Sequence, residues 1–357
     1  MWPAPNEGDR LNVLITGGTG YIGSHVALAL SAAGHHVVLL DNLGHSHAHV
    51  ASRLQQLSGQ PMLLNVGDVR DTALVSRLLR QHHIAAVVHC AGMKGRQAAS
   101  KQPLEAYAHN LQGTLSLLQA MCGCVEPMLV FTSSAEVYGE PFYRLQDERH
   151  PTQPRTALGR SLLQAETLIA DTLATQGTDW RVAILRCFHP AGAHESGLIG
   201  DSSGLPGTAD GLLPKLARVA AGATPSLFLY QDHEETPDGT ALKDFTHIDD
   251  IAQGYVAALS YMVERPGRHL FNLGRGQPVS VMAMLKAFEM SSGQALHWTN
   301  SPQDPAAVSC SAANALRAKN QLGWQAQRGV ADICDSSWNH LLTQKMLNTA
   351  AQAPRSS

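Results

Sequence analysis

Residues 11–26 read LNVLITGGTGYIGSHV, and the order of residue types in this stretch decides the fold. An apolar, β-branched run over 12–16 predicts a strand. It leads straight into Gly17-x-x-Gly20-x-x-Gly23, and the last glycine lies inside an apolar helical pattern. Glycines let a chain turn tightly and bring its backbone close to a diphosphate. The charge of that diphosphate then meets the free N–H groups at the helix N-terminus. A glycine triplet alone is a weak signal. This one has the required context of a strand before it, a helix after it and a second strand ending in Asp41.

Outward from this loop, short apolar runs alternate with longer amphipathic ones. The patterns predict strands over 12–16, 36–41, 62–65, 85–90, 128–132 and 181–186, and helices over 21–33, 72–81, 104–121 and 158–175. Strands alternating with helices of this length predict βαβ units. The expected fold is α/β, a Rossmann-type doubly wound parallel sheet with a smaller mixed α/β C-terminal lobe. After about residue 190, Gly, Pro and Asp become frequent and the elements shorten. The domain reading is therefore a loose N-terminus over 1–10, a nucleotide-binding domain over 11–190, a second lobe over 191–345 for substrate, and a loose tail over 346–357. The two lobes interleave late in the chain.

Asp41 lies at the end of the second predicted strand, where a carboxylate accepts from both hydroxyls of an adenosine ribose and repels a 2′-phosphate. That favours NAD over NADP. Asp68, after the third strand, suits the adenine edge; taken alone it equally suits an N-cap of the next helix. Small residues at Ala91 and Gly92 let a cofactor lie against the fourth strand's end. Lys94 is within reach of a diphosphate, although an isolated lysine is more often a solvated charge.

The chain has 357 residues, with 26 Lys plus Arg against 29 Asp plus Glu and a formal net charge of −3, which points to neither nucleic acid nor a membrane surface. No apolar run approaches the roughly 18 residues of a membrane span, and residues 1–10 do not read as a secretion signal. The six cysteines have no metal-ligand spacing and read as reduced thiols. Cytoplasmic localisation is expected. His45, His47 and His49 fall on one side of an extended segment, but lack a carboxylate or cysteine partner. No metal is expected.

Longer stretches carry a resemblance: TGGTGYIGSH at 16–25, LDNLGHS at 40–46, GDVRD at 67–71, HCAGMK at 89–94 and FTSSAEVYGE at 131–140. In the second lobe come GAHESGLIGD at 192–201, TPDGTALKDFTHIDDIAQGYVAAL at 236–259 and FNLGRGQPVSV at 271–281. Together these resemble the UDP-glucose 4-epimerases, members of the extended short-chain dehydrogenase/reductase family. The resemblance spans roughly residues 11–345. It implies galactose-metabolism chemistry, in which tightly bound NAD takes a hydride from sugar C4 and returns it to the opposite face. Carried over by motif, Gly17, Gly20, Tyr21, Ile22, Gly23, Asp41, Asn42, Asp68, Val69, Ala91, Gly92, Lys94 and Asn110 would contact NAD. Phe188, His189, Leu212, Lys243 and Asp304 would line the nucleotide-sugar site. A homodimer through the helix pair 104–121 and 158–175 follows by analogy only.

The resemblance breaks where the chemistry lies. Family members use a Tyr as base for the 4-hydroxyl and a Lys four residues on to hold the nicotinamide ribose and lower the Tyr pKa. Gly159 and Ser161 fix the register here, which puts Leu158 in the Tyr slot and Leu162 in the Lys slot. Leu158 and Leu162, at i and i+4, also read as one plain apolar helix face. Ser134 matches the active-site serine. Glu136, where a hydroxyl residue is usual, is the nearby group able to substitute as base. On the substrate side, Cys187 replaces a Tyr, His189 an Asn, Lys243 a diphosphate-gripping Arg, and Ser301 a second Arg. The expectation is an NAD-binding epimerase-like protein with its chemistry lost or strongly impaired, a possible pseudoenzyme. The alternative is an active UDP-glucose/UDP-galactose or other nucleotide-sugar 4-epimerase, an isomerase using Glu136.

Overall fold

The structure is a computed structural model that describes residues 10–93, 95–176, 179–201, 211–231, 235–301 and 308–352. Of the expected site residues, Lys94 and Asp304 lie outside that set. The first half runs β1 (Asn12–Thr16), α1 (Tyr21–Ala32), β2 (His36–Asp41), α2 (His49–Ser58), β3 (Leu63–Val66), α3 (Thr72–Gln81), β4 (Ala86–His89), α4 (Arg96–Lys101), α5 (Pro103–Tyr107), a π-type turn at Ala108–Gln112, α6 (Gly113–Met121), β5 (Met128–Ser134), α7 (Ala157–Gln176) and β6 (Arg181–Cys187). It continues β7 (Pro190–Ala191), α8 (Leu212–Ala220), β8 (Leu227–Tyr230), β9 (Leu242–Lys243), β10 (Thr246–His247), α9 (Ile248–Met262), β11 (Gly267–Leu273), β12 (Val279–Ser280), α10 (Val281–Ser292), β13 (Trp298–Ser301), β14 (Cys310–Ser311) and α11 (Val330–Gln352).

Seven parallel strands form one sheet in the order β11-β6-β5-β4-β1-β2-β3. The chain turns back between β1 and β4, so the crevice above their carboxyl ends is the topological switch point where open α/β sheets take ligands. Two apolar layers cover the sheet. Val13, Ile15, Val26 and Tyr255 belong to one, and Leu14, Val87, Leu129 and Ile184 to the other. Adjacent residues of β1 thus face opposite layers, as strand geometry requires.

The expected elements sit where the periodicity puts them, with a few differences. Helix α2 carries a mixed, weakly apolar sequence that the strand and helix patterns above do not include. The predicted helix 104–121 is interrupted by the wide turn at Ala108–Gln112. The seventh strand, β11, comes from beyond residue 191 and pairs with β6, while α9 packs on α1 in the layer below. Residues 248–273 therefore complete the nucleotide-binding sheet rather than the second lobe. That lobe has its own small core, in which Leu216, Leu229, Phe288 and Ile333 meet.

Candidate active site

The glycine loop follows β1 directly. Gly17 has φ +69°, and a Cβ there would stand 2.7 Å from the backbone nitrogen of Ala91. Its own N–H donates to Leu40 O at 2.8 Å. A Cβ at Gly23 would come within 2.1 Å of Gly17 O. Side chains are thus excluded from the loop by the ends of β2 and β4 and by the first turn of α1. The N-cap of α1, Gly20, makes no side-chain cap hydrogen bond. The first N–H groups of the helix are left to an outside acceptor, which is the provision a diphosphate needs.

Asp41 ends β2 and is only 8% exposed. Its carboxylate accepts from the backbone N–H groups of Thr19 at 3.1 Å and Leu43 at 2.9 Å, and from Ser46 Oγ at 3.1 Å. It therefore holds the glycine loop and the segment after β2 together. Asn42 Nδ2 donates to Asp68 Oδ2 at 3.2 Å. Arg70 holds Asp68 with Nε at 2.9 Å and Nη2 at 2.7 Å, and these bonds keep the Asp68 carboxyl well below the usual range. The N-cap of α3 is Asp71, which accepts from Leu74 N at 2.9 Å. Asp68 is free of that duty and stays with Asn42 at the strand ends.

Tyr21 and Ile22 begin α1, half-buried, and the Tyr21 hydroxyl donates to Gly192 O at 2.7 Å, joining the helix to the second lobe. The Val69 side chain packs in the core. Asn110 Nδ2 donates to Met93 O at 3.1 Å, while Asn110 Oδ1 is buried with no partner among the described residues. Ala91 and Gly92 follow β4. Gly17, Asp41, Asn42, Asp68, Ala91 and Gly92 thus lie at or just after the carboxyl ends of the neighbouring strands β1, β2, β3 and β4.

Ser134 ends β5 beside Cys187 of β6. Its Oγ accepts from the Glu136 N–H at 3.2 Å, and the Glu136 carboxylate accepts from Thr156 Oγ1 at 3.0 Å. Leu158 and Leu162 occupy the first turns of α7 at 3% and 1% exposure, in the apolar layer. Ser161 between them donates to Leu158 O at 2.9 Å. Three tyrosines of the surrounding elements are committed elsewhere. Burial pushes Tyr138 up to about 12, and its hydroxyl donates to Asn272 Oδ1 at 2.7 Å. Tyr255 is fully buried and donates to Thr132 Oγ1 at 2.8 Å; burial raises its pKa far above the ordinary value. Tyr143 donates to Asp147 at 2.9 Å.

On the second wall, the Phe188 ring is fully buried near Tyr138, at 6.1 Å between centroids. His189 has φ +29°, in the left-handed region that Asn and His enter more often than most residues. Burial, then the charges of Lys243 and Arg96, hold its imidazole well below the ordinary pKa, so it is neutral at pH 7. Leu212 opens α8, half-buried, and Lys243 lies in β9.

Other constellations do different work. His47 and His49 stack at 5.2 Å, whereas His45 faces His109 at 6.5 Å, so the three histidines do not converge. Among the described residues no group of three or more His, Cys, Asp or Glu could hold a metal ion. Ser336, His247 and Asp249 resemble a nucleophile triad, with His247 Nε2 3.1 Å from Ser336 Oγ. The wiring is wrong for that role. His247 Nδ1 accepts from the Asp249 N–H at 3.1 Å, so Nε2 carries the proton and cannot take one from the serine. Among the described residues no helix is long and apolar enough to cross a membrane.

A parallel doubly wound sheet, a glycine loop opening α1 and an acidic end to β2 define a dinucleotide-binding protein of the Rossmann type. The chain belongs to the NAD dependent epimerase/dehydratase family, whose model matches residues 13–274. It is 39% identical to the UDP-glucose 4-epimerase of Yersinia pestis over 329 residues, covering 92% of this chain and 96% of that protein. Among solved structures it resembles the UDP-glucose 4-epimerase of Stenotrophomonas maltophila, solved with NAD and formylated UDP-arabinopyranose. That match has a TM-score of 0.89 and 37% identity, covering 95% of this chain and all of that one. The enzyme from Bifidobacterium longum, solved with NAD+ and UDP, matches with a TM-score of 0.88 at 35% identity over 94% of this chain and 99% of that one.

Proposed function

We propose that this chain binds NAD at the glycine loop and a nucleotide sugar against the second lobe, without efficient 4-epimerisation. The glycine loop, the uncapped N-terminus of α1 and Asp41 support the cofactor reading. NAD would supply the hydride acceptor and donor. The residues of the chain would have to take the 4-hydroxyl proton as hydride leaves, and one observation carries the conclusion that they do so poorly. Leu158 and Leu162 fill the two decisive slots as buried hydrocarbon, at 3% and 1% exposure. Ser134 can hydrogen-bond the sugar hydroxyl but passes its proton to no base. A positioned general base is worth about 10²–10⁴ in rate, or roughly 3–5 kcal/mol of barrier.

A coupled assay from UDP-galactose with purified protein tests this directly. Turnover near the enzyme median of about 10 s⁻¹ would overturn the reading. NAD released on denaturation tests cofactor retention separately.

A second reading keeps Glu136 as the base. What favours it is position, because the residue follows Ser134 by two and its carboxylate is tied through Thr156 to the start of α7. Glu136→Gln separates the two. Loss of whatever activity the wild type has supports the second reading, and unchanged activity removes it.

The homodimer expected from the helix pair belongs to this proposal as well. Leu104 at 83% and Leu115 at 40% exposure offer it an apolar surface, and light scattering of the purified protein decides it.

A further inference from the structure

Helix α1, the segment 193–195, the start of α9 and the start of α11 enclose a cavity of about 530 Å³. That volume lies within the range of ordinary small-molecule sites, about 300–1,000 Å³. None of the described residues expected to touch NAD or a sugar nucleotide lines it. Helix α1 meets the nucleotide crevice with its N-terminus and reaches this cavity only from His25 onward, through Leu28 and Ala29.

The polar part of the wall is rich in acceptors. His25 is 2% exposed, and its Nδ1 donates to Tyr21 O at 2.8 Å, so Nε2 carries a lone pair. That nitrogen is buried without a partner among the described residues, in a side chain that lines the cavity. A buried acceptor left without a donor is costly, and a guest N–H removes the cost. The Asp249 carboxylate stands 3.8 Å from Arg328 Nη2 and 3.8 Å from His247 Nδ1, both beyond hydrogen-bond reach. Glu195, Asp332 and Asp335 add three more carboxylates to the lining, whereas its guanidinium, Arg328, is turned to Asp250 at 2.7 Å.

These charges favour a cation, and their arrangement says which kind. Among the described residues no three carboxylates or imidazoles converge as metal ligands do, so a bare divalent ion lacks a seat. A larger cation carries its own N–H donors and meets separated acceptors one by one. Leu28, Ala29 and Ala252 give the same cavity an apolar side for a carbon body.

We propose that this cavity binds a small primary ammonium with an apolar body, donating N–H groups to His25 Nε2 and the Asp249 carboxylate while its carbon part lies against α1 and α9. The site shares no residue with the nucleotide crevice, so the proposal stands whether or not the chain epimerises.

Calorimetric titration of the purified full chain, with its NAD, tests it with three probes of one body: phenethylammonium, phenylethanol and phenethyltrimethylammonium. The primary ammonium should bind saturably, with Kd below about 1 mM. The alcohol lacks the charge and the quaternary cation lacks the N–H donors, so each should bind at least about 10-fold more weakly. Asp249→Asn is close in shape and should weaken the ammonium about 10- to 100-fold, the range for a lost charge-assisted hydrogen bond. His25→Phe should weaken it about 10-fold. Ala32→Trp changes an exposed lining residue, leaves the core alone and should obstruct the cavity, which keeps the test intact if His25→Phe folds poorly. No saturable binding of the ammonium, or equal affinity for the three probes, overturns the assignment. Binding untouched by Asp249→Asn or by Ala32→Trp lies elsewhere and overturns it too.

Discussion

Asn110 Nδ2 donates to Ser161 Oγ at 2.8 Å, and the same hydroxyl donates onward to Leu158 O at 2.9 Å. The side chain of one element thereby fixes the backbone of another at Leu158. The first turn of α7 is held in register whether or not position 158 carries a reactive group. On the function proposed above, scaffold and chemistry are separable here, and the substitutions fall on the chemistry.

This separability predicts that Leu158→Tyr with Leu162→Lys raises UDP-galactose turnover about 10²-fold, the low end of what a positioned base supplies. A turnover that stays flat means the sugar-nucleotide wall has been lost too. Leu162→Lys alone should lower the unfolding midpoint, because a position 1% exposed must then hold an ammonium without its partner tyrosine. Thermal melts of the two variants and the wild type, read beside the coupled assay, check both halves.

Asp41 carries a second prediction. Its carboxylate serves three protein donors, so Asp41→Ala leaves the Thr19 and Leu43 N–H groups and the Ser46 hydroxyl short of an acceptor. Unsatisfied polar groups of this kind cost about 1–3 kcal/mol each when fully buried, and partial hydration leaves an expected total of about 2–4 kcal/mol. Urea unfolding measures it in the absence of added NAD. NAD retention should fall in the same variant. Lost retention with unchanged stability would show that the loop-building role assigned to Asp41 is wrong.

The first lobe was legible because its signals are local. The run 12–16, the glycine spacing and Asp41 each follow from neighbours in sequence, and β1, α1 and β2 begin where those residues dictate. β11 could not be assigned to the sheet this way, because only pairing with β6 across the fold gives it a place. The same holds for Arg186 and Glu166, both 5% exposed, whose ion pair at 2.6 Å lies beneath the end of β5. Glu166 belongs to no motif, and although Arg186 opens the stretch Arg186–His189, only the packing of α7 on the sheet joins the two.

The last prediction concerns acid. His25 in α1 is 2% exposed, and burial lowers its pKa to about 3, against the backbone bond from Nδ1 to Tyr21 O at 2.8 Å, which acts in the other direction. His194, His247 and His340 add positive charge around it when protonated, and His247 is itself lowered to about 4 by burial. Asp249 opposes them, because burial raises its carboxyl to about 6. The sign follows from which state binds more protons. Above pH 6.5 His25 is neutral in both states and contributes nothing to the slope. Between pH 6.5 and about 3 the unfolded chain is protonated at this position and the folded one is not, so stability falls as pH falls. At pH 5 the loss from this residue is about 2 kcal/mol. His25→Gln keeps a polar group and removes the titration, so the fall in unfolding free energy from pH 7 to pH 5 should shrink by about that amount relative to wild type. Equal slopes in the two proteins would mean that His25 is protonated in the folded state and that α1 accommodates its charge.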